Sequence, residues 1–158
     1  MYRSWNDWAP LPLRLILGFG LMFHGFPKLF SGAGHEQFVG MLQGIGVPAP
    51  GLMAYVVGIV EFFGGLAIFV GAFVAIVAAF NIVNMLVAMF SVHLPHGFNF
   101  MNITGMGEGG PTFGMPGYEV NLLYIAGLAA LILGGAGAYS IDRMRASRGR
   151  SARTRSTA

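Results

Sequence analysis

The sequence predicts an all-α integral membrane protein, a bundle of four transmembrane helices, and two observations carry that prediction. Only 9% of the 158 residues are charged while 55% are hydrophobic, at a mean hydropathy of +0.67. A soluble domain carries about 25% charged residues, so this chain has too few to coat a wetted surface. The hydrophobicity is also gathered in blocks of about twenty residues, the length that crosses a ~30 Å hydrocarbon core at 1.5 Å per residue. The blocks lie at 11–30, 52–70, 72–92 and 120–138. They make one four-span unit over 1–142, followed by an Arg-rich tail, 143–158, expected to be disordered.

The first span opens at Pro10 or Pro12, since a proline in a first turn lacks only an N–H that has no helical partner. A cleaved leader is the other reading of this block, with Ser31-Gly32-Ala33 as its small-x-small site. The length of the block and its three ionisable residues favour a retained span. Residues 31–50 read as an outer loop closed by Pro48-Ala49-Pro50-Gly51, and the second and third spans meet in a tight hairpin at Gly71. A second outer loop, about 93–118, holds six glycines from Gly105 to Gly117 and is expected to lack regular structure. Gly18, Gly25, Gly58, Gly64, Gly65 and Gly127 recur inside the spans, where small residues let helices approach closely. His24-Gly25-Phe26 is echoed by His96-Gly97-Phe98, which hints at a parallel repeat of two hairpins.

Charge is distributed unevenly. Six of the nine basic residues are arginines between Arg143 and Arg155. The positive-inside bias places that tail in the cytoplasm, and four crossings return the N-terminus to the same side of a plasma (inner) membrane. Such a run suits lipid headgroups, so the lipid bilayer is the expected partner and nucleic acid is not. The chain has no cysteine. Thiol chemistry and thiolate iron–sulfur ligation are excluded, and any redox role must use a borrowed cofactor or a partner subunit.

The informative residues are the ionisable ones inside the blocks: Arg14, His24 and Lys28 in the first, Glu61 in the second. A charge at membrane depth costs several kcal/mol unless it faces a partner or water, which makes each a functional candidate. Arg14, Gly18, Leu21, Gly25 and Lys28 share one helical stripe, with His24 beside it, so that stripe must face the bundle. Counting rises from the span ends puts Glu61 near mid-membrane, between Arg14 below and His24 above. Arg14 is the favoured partner of Glu61 and His24 the alternative. Lys28, judged too far from Glu61, is expected to meet His93, His96, Glu119 or Asn121 near the outer rim. An axial haem pair of His24 with His93 is conceivable, as is a Cu(I) site of Met101, Met106 and Met115. Hydrogen-bonded interface histidines and unremarkable loop methionines are the better readings.

The sequence Phe23-His24-Gly25-Phe26-Pro27-Lys28-Leu29, with Arg14 and Gly18 before it, then Glu61-Phe62-Phe63-Gly64-Gly65, His96-Gly97-Phe98, Gly117-Tyr118-Glu119 and Tyr139-Ser140-Ile141-Asp142, resembles the DoxX family of four-span membrane proteins. The resemblance implies a membrane oxidoreductase, linked in some members to quinone reduction and in others to complexes with detoxifying enzymes. It departs at Gly71-Ala72-Phe73, where many members carry an arginine, and in the Gly/Met-rich stretch before Gly117. The expected function is a small subunit of a quinone-linked oxidoreductase working with other membrane or periplasmic redox subunits. Glu61, His24 and Lys28 would be its catalytic residues, and Arg14, His93, His96 and Glu119 would bind a quinone. The alternatives are a non-enzymatic scaffold that recruits partner enzymes, and a proton-coupled transporter using Glu61, which would favour a homo-oligomer.

Overall fold

Apolar helices in lipid associate by close packing rather than by expelling water, so their smallest residues decide where they touch. In the computed structural model, which describes residues 5–156, α2 (Pro10–Phe30) and α4 (Pro50–Val70) meet along a row of glycines. A Cβ on Gly18 would lie 2.7 Å from the Gly65 carbonyl oxygen, and one on Gly65 would lie 2.7 Å from that of Gly18. Farther along, Gly25 lies against Phe62, and Gly58 against Leu29 and Lys28. The two helices are therefore antiparallel, and their register is set by backbone contact. α5 (Val74–Ala88) and α6 (Glu119–Gly134) complete the bundle, with Tyr124 over Gly20 and Leu17 over Gly127 joining α6 to α2.

The fold is the predicted all-α membrane bundle. The helices through Phe30, Pro50–Val70 and Val74–His96 are long and apolar enough to cross a membrane. The fourth is apolar but has 16 residues, ending at Gly134 rather than near 138. The chain turns there because Gly135 (φ +76°) and Gly137 (φ +66°) take up left-handed backbone, which only glycine adopts freely.

Both described ends of the chain lie at one end of the bundle. α1 (Trp5–Trp8) meets the segment after α6: the Ala138 N–H donates to the Asp7 carbonyl at 2.6 Å, and Trp8 stands edge-on to Tyr139 at 5.5 Å. The predicted tight hairpin between α4 and α5 is present, with Gly71 at φ +74° and no room for a side chain, since Ser140 Cβ would be 2.5 Å away. The Arg-rich segment, expected to be disordered, is helical: α7 (Ile141–Ser156) is capped by the Ser140 hydroxyl, which accepts from the Arg143 N–H at 3.3 Å.

The opposite end departs most from the sequence reading. Residues read as an outer loop form α3 (Gly32–Gly44), started by Ser31, whose hydroxyl accepts from the Gly34 N–H at 3.2 Å. The glycine-rich stretch expected to lack regular structure contains an antiparallel hairpin, β1 (Ile103–Gly107) and β2 (Gly110–Phe113), joined by Glu108-Gly109. α5 continues through a π-helical turn, Met89–His93, and a 3₁₀ turn, Leu94–His96. Pro95 explains the widening: it has no N–H, and its ring would collide with the carbonyl four residues earlier in α geometry. The His-Gly-Phe echo does not extend to local structure, because Gly25 sits inside α2 whereas Gly97 (φ +79°) ends a turn.

Between the two ends lies a buried apolar layer of Leu17, Leu21, Ile68, Val74, Ala78, Leu128 and Leu131. The α2/α4 seam supplies a direct test. Gly65→Val should cost about 1–3 kcal/mol by forcing the helices apart. Gly40→Ala, with nothing within 4 Å of the added carbon, should hold or raise stability. Thermal unfolding in detergent reads both.

Candidate functional site

Two buried polar centres lie on opposite sides of that apolar layer. The first is the Arg14 guanidinium, 1% exposed. Its Nε–H donates to the Ile68 carbonyl (3.2 Å), Nη1 to Ala136 (2.6 Å) and Ala138 (2.9 Å), and Nη2 to Phe69 (3.2 Å) and Tyr139 (3.0 Å). These five donors fill the whole fork of the side chain. The Ile68 and Phe69 carbonyls belong to the last turn of α4, where acceptors lack the regular i+4 helical donor and the helix dipole is negative. Arg14 is thus a clamp on backbone, and the expected Arg14–Glu61 pair does not form.

Glu61, 5% exposed, pairs instead with the lysine judged out of reach. The Lys28 ammonium donates to Glu61 Oε2, the Asn84 amide donates to Oε1 at 3.1 Å, and the ammonium also lies 4.5 Å from the centre of the Phe38 ring. The register explains the error. Counting from span ends aligned Pro10 with the end of α4, whereas the structure places Arg14 against Gly71 and Lys28 against Gly58. That is a slip of about five residues, or ~7 Å, which brings Lys28 within one turn of Glu61 and leaves Arg14 ~16 Å away.

The Lys28–Glu61 pair lines a cavity of about 360 Å³ in the half of the bundle away from the chain ends. α2 contributes His24 and Lys28, α4 Val57 and Glu61, and α5 with its π turn Asn84, Ser91 and His93. α6 contributes Asn121 and Tyr124, while Phe38, Met41 and Leu42 of α3 and Met115 and Pro116 after the hairpin form the roof. The π turn is what carries His93 to the cavity, where its Nδ1–H donates to the Pro116 carbonyl at 2.8 Å.

Of the sequence-predicted site residues, His24, Lys28, Glu61 and His93 meet in this cavity, and Arg14, His96 and Glu119 do not. His96 is exposed on the 3₁₀ turn. Glu119 accepts from the Phe100 N–H at 3.0 Å and so ties the outer segment to the start of α6. None of Lys28's expected rim partners touches it; Asn121 donates to the Met85 carbonyl at 3.4 Å. Asn84, Tyr124 and the α3 roof were missed. The α3 signal was present in Ser31 as a cap and in His35, Phe38 and Leu42 at helical spacing, but four glycines obscured it. Below the cavity Asn81 is fully buried against Gly64, its amide donating to the Val77 (2.9 Å) and Val60 (3.3 Å) carbonyls.

The family model for DoxX matches residues 9–94, which takes in α2 to α5 and so three of the four helices of the bundle. No curated protein and no solved structure matches the chain.

The pairing can be checked by a mutant cycle in detergent. Glu61→Gln strands the Lys28 ammonium and should cost about 3–5 kcal/mol, while the double change Lys28→Met with Glu61→Leu should recover most of that loss. Arg14→Leu and Glu61→Leu, more than ~10 Å apart, should instead add.

Proposed function

The chain belongs to the DoxX family, and from that premise we propose that it is a small membrane subunit of a quinone-linked oxidoreductase whose cavity holds the quinone headgroup. The observation that carries this reading is the convergence of Lys28, Glu61, Asn84 and His93 on one largely apolar cavity of about 360 Å³. Small-molecule sites are commonly of about 300–1,000 Å³, apolar, with a few aimed polar groups. A flat ring carrying two oxygens fits that donor set.

A bound quinone supplies the two-electron, two-proton chemistry that a cysteine-free chain lacks. The chain's own residues hold and position. Lys28 and Asn84 fix the Glu61 carboxylate by two hydrogen bonds, so its oxygens keep one orientation toward the cavity. Lys28 keeps a positive charge beside that wall, where an oxygen gaining electron density is stabilised. Phe38 and Leu42 line the cavity from the α3 side. Electrons then reach the site from a partner subunit. In this reading the arginine-rich end faces the cytoplasm, and the cavity lies in the outer half of the plasma membrane.

A scaffold that recruits partner enzymes is the second reading. It draws on the hairpin, where Ile103 (53%), Met106 (81%) and Phe113 (57%) stand exposed. A transporter finds less support, because the apolar layer separates Glu61 from the end that holds Arg14.

Native mass spectrometry of protein extracted mildly from its own membrane tests the site. Quinone should be retained by the wild type and lost at least about tenfold in the double change Lys28→Met with Glu61→Leu and in the cavity-filling Leu42→Trp, each checked for normal unfolding. Wild-type protein without quinone, from cells whose quinone reduction is unchanged on deletion, would leave the scaffold as the better account.

A further inference from the structure

We propose that α7 is an anionic-lipid-binding helix, held at the membrane surface by its first turn. Three observations place it there. The first is attachment. The Asp142 carboxylate accepts from the Phe73 N–H (2.8 Å) and the Val74 N–H (2.9 Å), the opening donors of α5, and the Asp142 N–H donates to the Gly71 carbonyl at 3.0 Å. α7 therefore starts where two apolar spans end, at the level of the headgroups.

The second is aromatic composition at the same level. Trp5 is 90% exposed, Tyr139 65% and Phe73 54%, and Trp8 packs on Tyr139. Tryptophan and tyrosine are enriched at membrane–water interfaces, where an amphipathic ring sits among headgroups.

The third is charge. Arg143 donates to the Asp7 carboxylate at 2.7 Å, and the Arg145 guanidinium lies 4.7 Å from the centre of the Phe73 ring. The sequence then supplies Arg148, Arg150, Arg153 and Arg155 with no acidic residue after Asp142. A helix of one sign, fixed beside a bilayer, is complementary to anionic phospholipid, and polybasic segments next to spans gain from each arginine near such a surface. Nucleic acid carries the same phosphate chemistry but does not account for the attachment at headgroup level, so lipid is the occupant.

The two tryptophans of the chain, Trp5 and Trp8, lie at this end and report on it. Full-length protein is placed in phosphatidylcholine bilayers containing about one-third phosphatidylglycerol, with bromine carried on one lipid or the other. Brominated phosphatidylglycerol should quench, per mole, about two- to threefold more than brominated phosphatidylcholine, and high salt should shrink the difference. Changing Arg148, Arg150, Arg153 and Arg155 together to glutamine should abolish the preference while the bundle unfolds at an unchanged temperature. Equal quenching by the two lipids in the wild type overturns the proposal. So does a preference that survives in the fourfold variant, or loss of the preference on adding an oligonucleotide at physiological salt.

Discussion

The Arg14 guanidinium ties together three pieces of chain at one point: the start of α2, the last turn of α4 and the segment 136–139 leading into α7. A buried carbonyl left without a donor costs about 1–3 kcal/mol, so the five bonds of this one side chain spare several such losses. Lysine offers one point charge and could not serve five carbonyls spread around a plane. The clamp also sets a distance. With Arg14 opposite Gly71, the glycine seam runs in only one register, and that register brings Lys28 down to Glu61. The pair lining the cavity is thus positioned from the other end of the bundle.

Much of the fold was readable because it rests on composition and spacing. Twenty-residue apolar blocks, the proline at the head of α2, and glycines on the faces that pack together are local signals. The polar stripe of α2 was also legible, and it does face the bundle at Arg14, Gly18, Leu21 and Gly25, all buried. Which charge met which was not legible. A helix slides by 1.5 Å per residue, and sequence offers no ruler finer than the membrane itself, so aligning span ends misassigned both Arg14 and Lys28. Interhelical contact at Gly18, Gly25, Gly58 and Gly65, together with Arg14 opposite Gly71, decides it. The α3 roof and the hairpin were hidden for another reason: their glycines read as loop, although Ser31 and the two-residue turn at Glu108-Gly109 carried weak signals. The π turn follows from Pro95, whose effect on the helix before it depends on how α5 packs at that end.

The Lys28–Glu61 pair is a neutral unit held between two packed helices. Removing both charges from a bundle core is often harmless or stabilising, so retention of such a pair at the wall of a cavity fits a role in that cavity better than a role in stability. Asn84 adds to this view, since its amide donates to an acid on a neighbouring helix rather than to its own backbone. His24 lies on the same wall but is more exposed, its ring standing edge-on to Phe23 at 6.0 Å.

The apolar layer has a consequence for bioenergetics. Among the described residues, no buried polar side chain lies within the apolar layer of Leu17, Leu21, Ile68, Val74, Ala78, Leu128 and Leu131 that stands between Asn81 and Arg14. On the reading proposed above, chemistry in the cavity would draw on one aqueous compartment and leave the transmembrane proton gradient unspent.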